Sequence, residues 1–221
     1  MLLSRHKRFL LLVALFAIII TIWIFELMHD KVPFVDAWTR FVVPLVDGTV
    51  IYDAFFFITN FGSRSFVEPF TVFMAFLLVW ITRDWLPSIF FAVGTLGSHL
   101  LNSSIKHIVA RERPRILVEA NAEGYSFPSG HAMVSIVCYG LLAYFIAREC
   151  KTRAEKLIIE WSFITFILLI GVSRFFINVH YLTDILTGFF VGYTFLVILV
   201  YIFEKIEKRR GRGERLRLKT E

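Results

Sequence analysis

Phe127-Pro128-Ser129-Gly130-His131, continued as Ala132-Met133-Val134-Ser135-Ile136, is a turn that runs straight into an apolar helix. No charged residue follows His131 until Arg148, so the run from about Ser129 to Ala147 is long and apolar enough to span a bilayer. Pro128 pre-sets a helix start, and the Ser129 and Gly130 N–H groups are expected to stand unpaired at the positive helix end, an anion site by geometry. His131 adds, within a turn of those donors, the side chain that titrates near neutral pH.

Outward from this helix the pattern repeats. The chain has 221 residues, 57% of them hydrophobic and 17% aromatic, while charged residues make up 19% and cluster between apolar runs. That distribution predicts an all-α, polytopic membrane protein, a single domain over 1–221 built as a six-transmembrane-helix bundle. The net charge of +6 comes largely from the two ends, which is the ordinary topology signal of juxtamembrane Lys and Arg; no nucleic-acid partner is expected. Cys138 and Cys150 fall on one helix about 18 Å apart, too far for a bridge within the chain.

Arg5, Lys7 and Arg8 place the N-terminus in the cytoplasm, and Phe9–Phe25 follows as a first span, read as a retained anchor because no small-residue cleavage site follows it. Between Asp30 and Glu68, Pro33, Pro44, Gly48 and Gly62 punctuate aromatic pieces around Trp38 and Phe55. These are too short to cross and suit short helices in the outer interface, either a connector capping the bundle or a vestibule for lipid entry. The remaining spans are expected at Ser65–Ile81, Trp85–Ile105, Leu157–Val172 and Tyr181–Phe203. Arg83, the Arg148–Lys156 link and a basic, solvated tail from Lys205 (205–221) fall on the cytoplasmic side. The loop from Lys106 to Arg115 is basic on the opposite side, against the topology rule. An anionic ligand accounts for it.

Lys106 and Arg113 are seven residues apart, about two helical turns, and Pro114 should end the helix at Arg113. A point charge and a planar fork together suit phosphate oxygens, although a pair of snorkelling interface cations has the same appearance. His180 and Asp184, four apart, let a carboxylate take one imidazole N–H and leave the other nitrogen as a nucleophile; a buried structural pair is the alternative. Arg174 can reach the same outer pocket. Arg111 and Arg115 are read as interface anchors, with a second phosphate or headgroup contact as the alternative. His6, His29, His99 and His107 have no motif role, His99 being read as a packed intramembrane residue. A metal held by His131, His180 and Asp184 is a rival, weakened by the single carboxylate and the competing cations.

Lys106-x6-Arg113-Pro114, Pro128-Ser129-Gly130-His131 and Ser173-Arg174-x5-His180-x3-Asp184 together resemble the three-part signature of the type-2 phosphatidic acid phosphatase superfamily. That family includes lipid phosphate phosphatases, phosphatidylglycerophosphatase B-like and undecaprenyl pyrophosphate phosphatases, and soluble vanadium haloperoxidases. The motifs lie within 106–184, and the apolar segments fit the family's six-helix membrane form. The resemblance implies a covalent hydrolase that needs no metal and no cofactor. His180 would attack phosphorus, held by Asp184, and His131 would serve as acid and then base. Lys106, Arg113, Arg174 and the backbone near Ser129 and Gly130 would bind the phosphate. The implied partner is a membrane lipid phosphate (phosphatidylglycerol phosphate, a polyprenyl pyrophosphate or phosphatidate) presented from the bilayer at the outer leaflet. Transfer to a lipid or sugar acceptor, and a non-enzymatic lipid transporter or scaffold, are the alternatives.

Overall fold

The computed structural model describes residues 5–114 and 124–217, with side chains described for 11–114 and 124–211. The chain is an all-helical, polytopic membrane protein. Helix α1 (Arg5–Met28) leads into two short helices, α2 (Phe34–Thr39) and α3 (Val50–Thr59), each continued by a 3-10 turn, at Arg40–Leu45 and Asn60–Gly62. Then come α4 (Arg64–Thr82), α5 (Trp85–Val109), α6 (Gly130–Glu149), α7 (Arg153–Phe176) and α8 (Leu182–Arg217). The α2 and α3 segments meet at a bend of 117°, so this stretch forms short helices between the first two spans, as its proline and glycine punctuation predicts.

Local chemistry sets the ends. Ser63, Asp84, Ser129 and Thr152 each accept an amide at the start of a long helix, and Thr152 with Glu155 forms a complete capping box. Arg83 and Ala110 close α4 and α5 in the left-handed conformation, at φ 51° and 50°. Helix α5 therefore stops at Val109, earlier than the expected end at Arg113, and Arg113 sits in the non-helical chain leading into Pro114.

Helices α1, α4, α6, α7 and α8 are long and apolar enough to cross a membrane. Helix α5, expected as the third span, has 25 residues and carries several polar side chains along its length. Ser88, Thr95, Ser98 and Asn102 account for much of that polarity, and all four are buried against the bundle rather than offered to lipid. The sixth span was expected to end at Phe203 before a solvated tail, whereas α8 continues to Arg217. Its Lys, Arg and Glu residues are good helix formers, and two ion pairs hold its course: Arg148 with Glu207 at 2.7 Å and Arg210 with Asp84 at 3.1 Å.

Helix α6 is the axis. Two-thirds of it (67%) is buried, against 22% of the apolar windows of α4, α7 and α8 and 6% of that of α1. Its Val137, Leu141 and Phe145 pack with Leu78, Phe91, Ile170 and Phe203 of the surrounding helices as one apolar core. Phe73, Phe76 and Trp80 of α4 point outward, as lipid-facing side chains must. On α8, Gly188 and Gly192 meet the α6 backbone: a Cβ on either would lie 2.7 Å from the carbonyl of Ser129 or Met133. That close contact fixes the start of α6 beside the start of α8.

Candidate active site

The beginnings of α4, α6 and α8 and the ends of α5 and α7 share one end of the bundle. There the Ser129 hydroxyl caps α6 by accepting from the Ala132 amide at 3.5 Å. The Ser129 amide, expected to be unpaired, donates to the Asp184 carbonyl at 2.9 Å, because the Gly188 contact brings the α8 backbone alongside. The donors left at the helix start are the amides of Gly130 and His131, which have no acceptor among the described residues. Asn102 pins the turn by donating to the Pro128 carbonyl at 3.2 Å. Its Oδ1 would lie 3.0 Å from a Cβ at position 130, so glycine is the residue that fits there.

Across from this helix start, Asp184 Oδ2 accepts from the Tyr181 amide at 2.9 Å and lies 3.2 Å from His180 Nδ1. That pairing selects the tautomer with its proton on Nδ1 and the lone pair on Nε2. Arg113 Nη1 donates to the Val179 carbonyl at 2.9 Å and reaches Nε2 at 3.1 Å, while its Nε donates to the Gly124 carbonyl at 3.0 Å. Burial, together with the positive charges of Arg113, Arg174 and Lys106, holds the His180 imidazole well below its ordinary pKa. The ring is therefore neutral, as a nitrogen nucleophile requires.

Lys106, Arg113, Gly130, His131, Arg174 and His180 line one cavity of about 250 Å³. Arg64 also lines it, so among the described residues four cations and no carboxylate face the space, an arrangement that favours an anion. The Lys106 ammonium donates to the Tyr125 carbonyl. Arg174 Nη1 donates to Thr59 at 2.8 Å, and its buried Nε has no acceptor among the described residues. All the site residues expected from the sequence are thus in the cavity wall except Ser129 and Asp184, which stand directly behind it. Among the described residues no group of three or more His, Cys, Asp or Glu is placed to hold a metal ion.

Two expectations change. Arg111 is not an interface anchor: its guanidinium is buried, donating to Asp184 Oδ1 at 2.6 Å, Thr183 at 2.9 Å and Asp36 Oδ2 at 2.7 Å. Arg115 lies outside the described residues. His99 does more than pack, since it lines both the polar cavity and an apolar groove of about 660 Å³ between α4 and α5. The sequence also gave no pointer to Asp36, Asn102 or Gly62 as site residues. For Arg111 a signal existed, its place beside Arg113 in a loop whose basic charge reads in the sequence as against the topology rule; for Asp36 no spacing rule connects residue 36 to residue 184.

Gly62 touches the machinery through the space its missing side chain leaves. A Cβ there would lie 2.5 Å from Ile170 Cγ2 and 2.8 Å from His131 Cδ2, closer than side chains pack. Gly62→Ala is expected to displace the His131 ring and lower kcat by up to about 10²-fold, the scale on which a misplaced reacting group acts. Steady-state kinetics beside a thermal transition in detergent checks this; a native kcat in a folded variant contradicts it.

The family model described as the PAP2 superfamily matches residues 87–208. Phosphatidylglycerophosphatase B of Bacillus subtilis (strain 168) is 30% identical over 156 residues, covering 69% of this chain and 75% of that protein. Dolichyldiphosphatase of Saccharomyces cerevisiae is 28% identical over 160 residues, covering 68% and 66%. The crystal structure of the transmembrane PAP2 type phosphatidylglycerolphosphate phosphatase from Bacillus subtilis has the same fold, with a TM-score of 0.75 at 23% identity over 86% of this chain and 96% of that one. Aquifex aeolicus LpxE follows at 0.58 and 20% identity, over 75% and 94%.

Proposed function

Because this chain belongs to the PAP2 superfamily, in its membrane lipid phosphatase branch, we propose that it hydrolyses a membrane lipid phosphate through a phosphohistidine on His180. The observation that carries this is the shared cavity, in which His131, His180 and the cations of three separate chain segments face one anion-sized space. Phosphoryl transfer needs positioning and charge neutralisation more than any other help. Lys106, Arg113, Arg174 and the Gly130 and His131 amides supply both around the non-bridging oxygens.

In the first step the Nε2 lone pair of His180 attacks phosphorus as the P–O bond to the lipid breaks, and His131 gives its proton to the departing alkoxide. The bound phosphate's negative charge favours that proton on His131. In the second step water attacks phosphorus, His131 takes the proton from the water, and the P–N electron pair returns to Nε2. A lipid monophosphate yields a lipid alcohol and inorganic phosphate; from a lipid diphosphate the group that leaves, in place of the alkoxide, is the lipid monophosphate, again with inorganic phosphate released in the second step. Asp184 holds the Nδ1 proton throughout.

The apolar groove between α4 and α5 supports a lipid substrate. Phe76, Val79, Ile89, Ala92 and Leu96 line it, and at His99 it meets the polar cavity, so a chain in the groove leads its phosphate to His180. The relatives named above are a phosphatidylglycerophosphatase and a dolichyldiphosphatase. Phosphatidylglycerol phosphate, a polyprenyl pyrophosphate and phosphatidate are the substrate classes proposed here. The site lies at the extracytoplasmic face and both termini in the cytoplasm of a cell-membrane protein; the Arg83, Arg148 and Arg210 end of the bundle, opposite the cavity, supports this orientation. An ionisable cluster at one end of the bundle rather than at its middle speaks for hydrolysis over transport.

Phosphate release from purified protein in mixed micelles tests this. Lipid monophosphates or diphosphates are expected to exceed water-soluble phosphomonoesters in kcat/KM by at least about 10²-fold, since remote binding energy is used at the reacting centre. A chelator should leave the rate unchanged. Equal rates on soluble esters, or chelator loss restored by a divalent ion, would contradict it.

A further inference from the structure

Asp36 and Arg111 form, with Asp184, a buried chain of alternating charge that ends on the reactive histidine. Asp36 Oδ1 accepts from the Thr183 amide at 3.0 Å, and its Oδ2 accepts from the Thr183 hydroxyl at 2.6 Å and from Arg111 Nη2 at 2.7 Å. Arg111 Nη1 donates to Asp184 Oδ1 at 2.6 Å, leaving Oδ2 for the Tyr181 amide and His180. The Arg111 guanidinium also stacks on the Tyr181 ring, 3.7 Å from its centre. Both carboxylates are fully buried at the side chain and Arg111 is 8% exposed. Charges so deeply placed persist only when paired and hydrogen-bonded, and here all four carboxylate oxygens accept at least one hydrogen bond while Arg111 donates three.

We infer that Asp36 and Arg111 are positioning residues for the phosphatase reaction, Arg111 fixing the Asp184 carboxylate and Asp36 setting the charge it presents to His180. Asp184 alone has two oxygens and a free torsion; with Oδ1 tied to a planar guanidinium, Oδ2 is left aimed at Nδ1. Arg111 by itself would neutralise much of the charge that Asp184 offers to an imidazole gaining positive character as it attacks phosphorus. Asp36 offsets this, because two carboxylates around one guanidinium leave the cluster with a net negative charge. Helix α2 thus belongs to the catalytic apparatus, although it lies outside residues 87–208, where the family model matches. The cation–π contact of Arg40 with Tyr181, at 5.0 Å, ties the same segment to the catalytic turn.

The inference rests on the phosphatase reaction proposed above, and pH–rate profiles of kcat for Asp36→Asn, Arg111→Gln and the double variant separate the two. One lipid substrate is used throughout, so that its own titration is common to all. The other charged and titratable groups around His180 and Asp184, namely Arg113, Lys106, Arg174, Arg64, Arg40, His99 and His131, are unchanged in every variant, and differences report the cluster alone. Arg111→Gln removes a positive charge and makes a proton on the Asp184–His180 pair more favourable. Its acid limb should move to higher pH by about one unit, with kcat down about 10–100-fold near neutrality and KM within about threefold. Asp36→Asn removes a negative charge and should move the limb to lower pH. In the double variant the charges cancel and the limb should return toward the native position. A purely structural role predicts lower kcat with profiles of native shape in all three, and that result would overturn the inference while leaving the hydrolase intact. If Arg111→Gln does not fold in detergent, the acid shift of Asp36→Asn decides alone: an unmoved limb overturns it. An inactive native protein would instead count against the phosphatase reaction itself.

Discussion

His180→Ala is expected to remain folded in detergent and to lose at least about 10⁴-fold in kcat, the scale seen when a nucleophile is deleted from a covalent mechanism. The ring cannot be replaced by a neighbour. The Asp184 carboxylate engages its Nδ1, and Nε2, the lone-pair nitrogen, lies beside Arg113. Lys106 is a cation bonded to the Tyr125 carbonyl. His131 lines the same cavity from α6, and its proposed role is to exchange protons with the leaving group and water. With alanine at 180 the cavity keeps its cations and still binds the phosphate, so substrate affinity should fall far less than turnover. A variant retaining even a tenth of native kcat would contradict the assignment of the nucleophile.

His131→Ala is expected to cost about 10²–10⁴-fold in kcat on a lipid alkyl phosphate, the usual contribution of a positioned general acid or base. The loss should depend on what leaves. A lipid alkoxide is a poor leaving group and needs the proton as the P–O bond breaks, whereas an aryl phosphate leaves as a stable phenolate without one. Bond cleavage from the aryl ester should therefore be nearly native in a first turnover, followed by slow hydrolysis because water has lost its base. A burst of phenolate followed by a slow steady state is the signature. Equal losses for alkyl and aryl esters, with no burst, would remove His131 from both proton transfers.

Much of the site was legible because its motifs sit at helix ends. The four-residue spacing of His180 and Asp184 predicts their contact, and a basic loop that reads against the topology rule marks Lys106 and Arg113 before any fold is known. What the sequence misplaced follows from contacts between distant segments. The Ser129 amide looked free because it opens a helix, and it is paired because Gly188 and Gly192 let α8 lie against α6. Arg111 looked like a surface cation because the carboxylates that bury it come from 75 residues upstream and 73 downstream. Helix α5 was expected as a span, and what composition hides is that its serines, threonine and asparagine are buried against the bundle, because hydropathy averages over faces. The α2–α3 segment read as a connector because short aromatic pieces carry no helical period; Asp36, Thr59, Gly62 and Arg40 give it its place at the site.

The most direct measurement is a rapid acid-free quench of the protein with phosphate-labelled lipid substrate, followed by peptide mapping of the bound label. The account predicts a phosphoryl group on His180 that is stable in alkali, lost in acid, and absent from His180→Ala. Label on any other residue, or full turnover with no labelled protein at any time point, would contradict it.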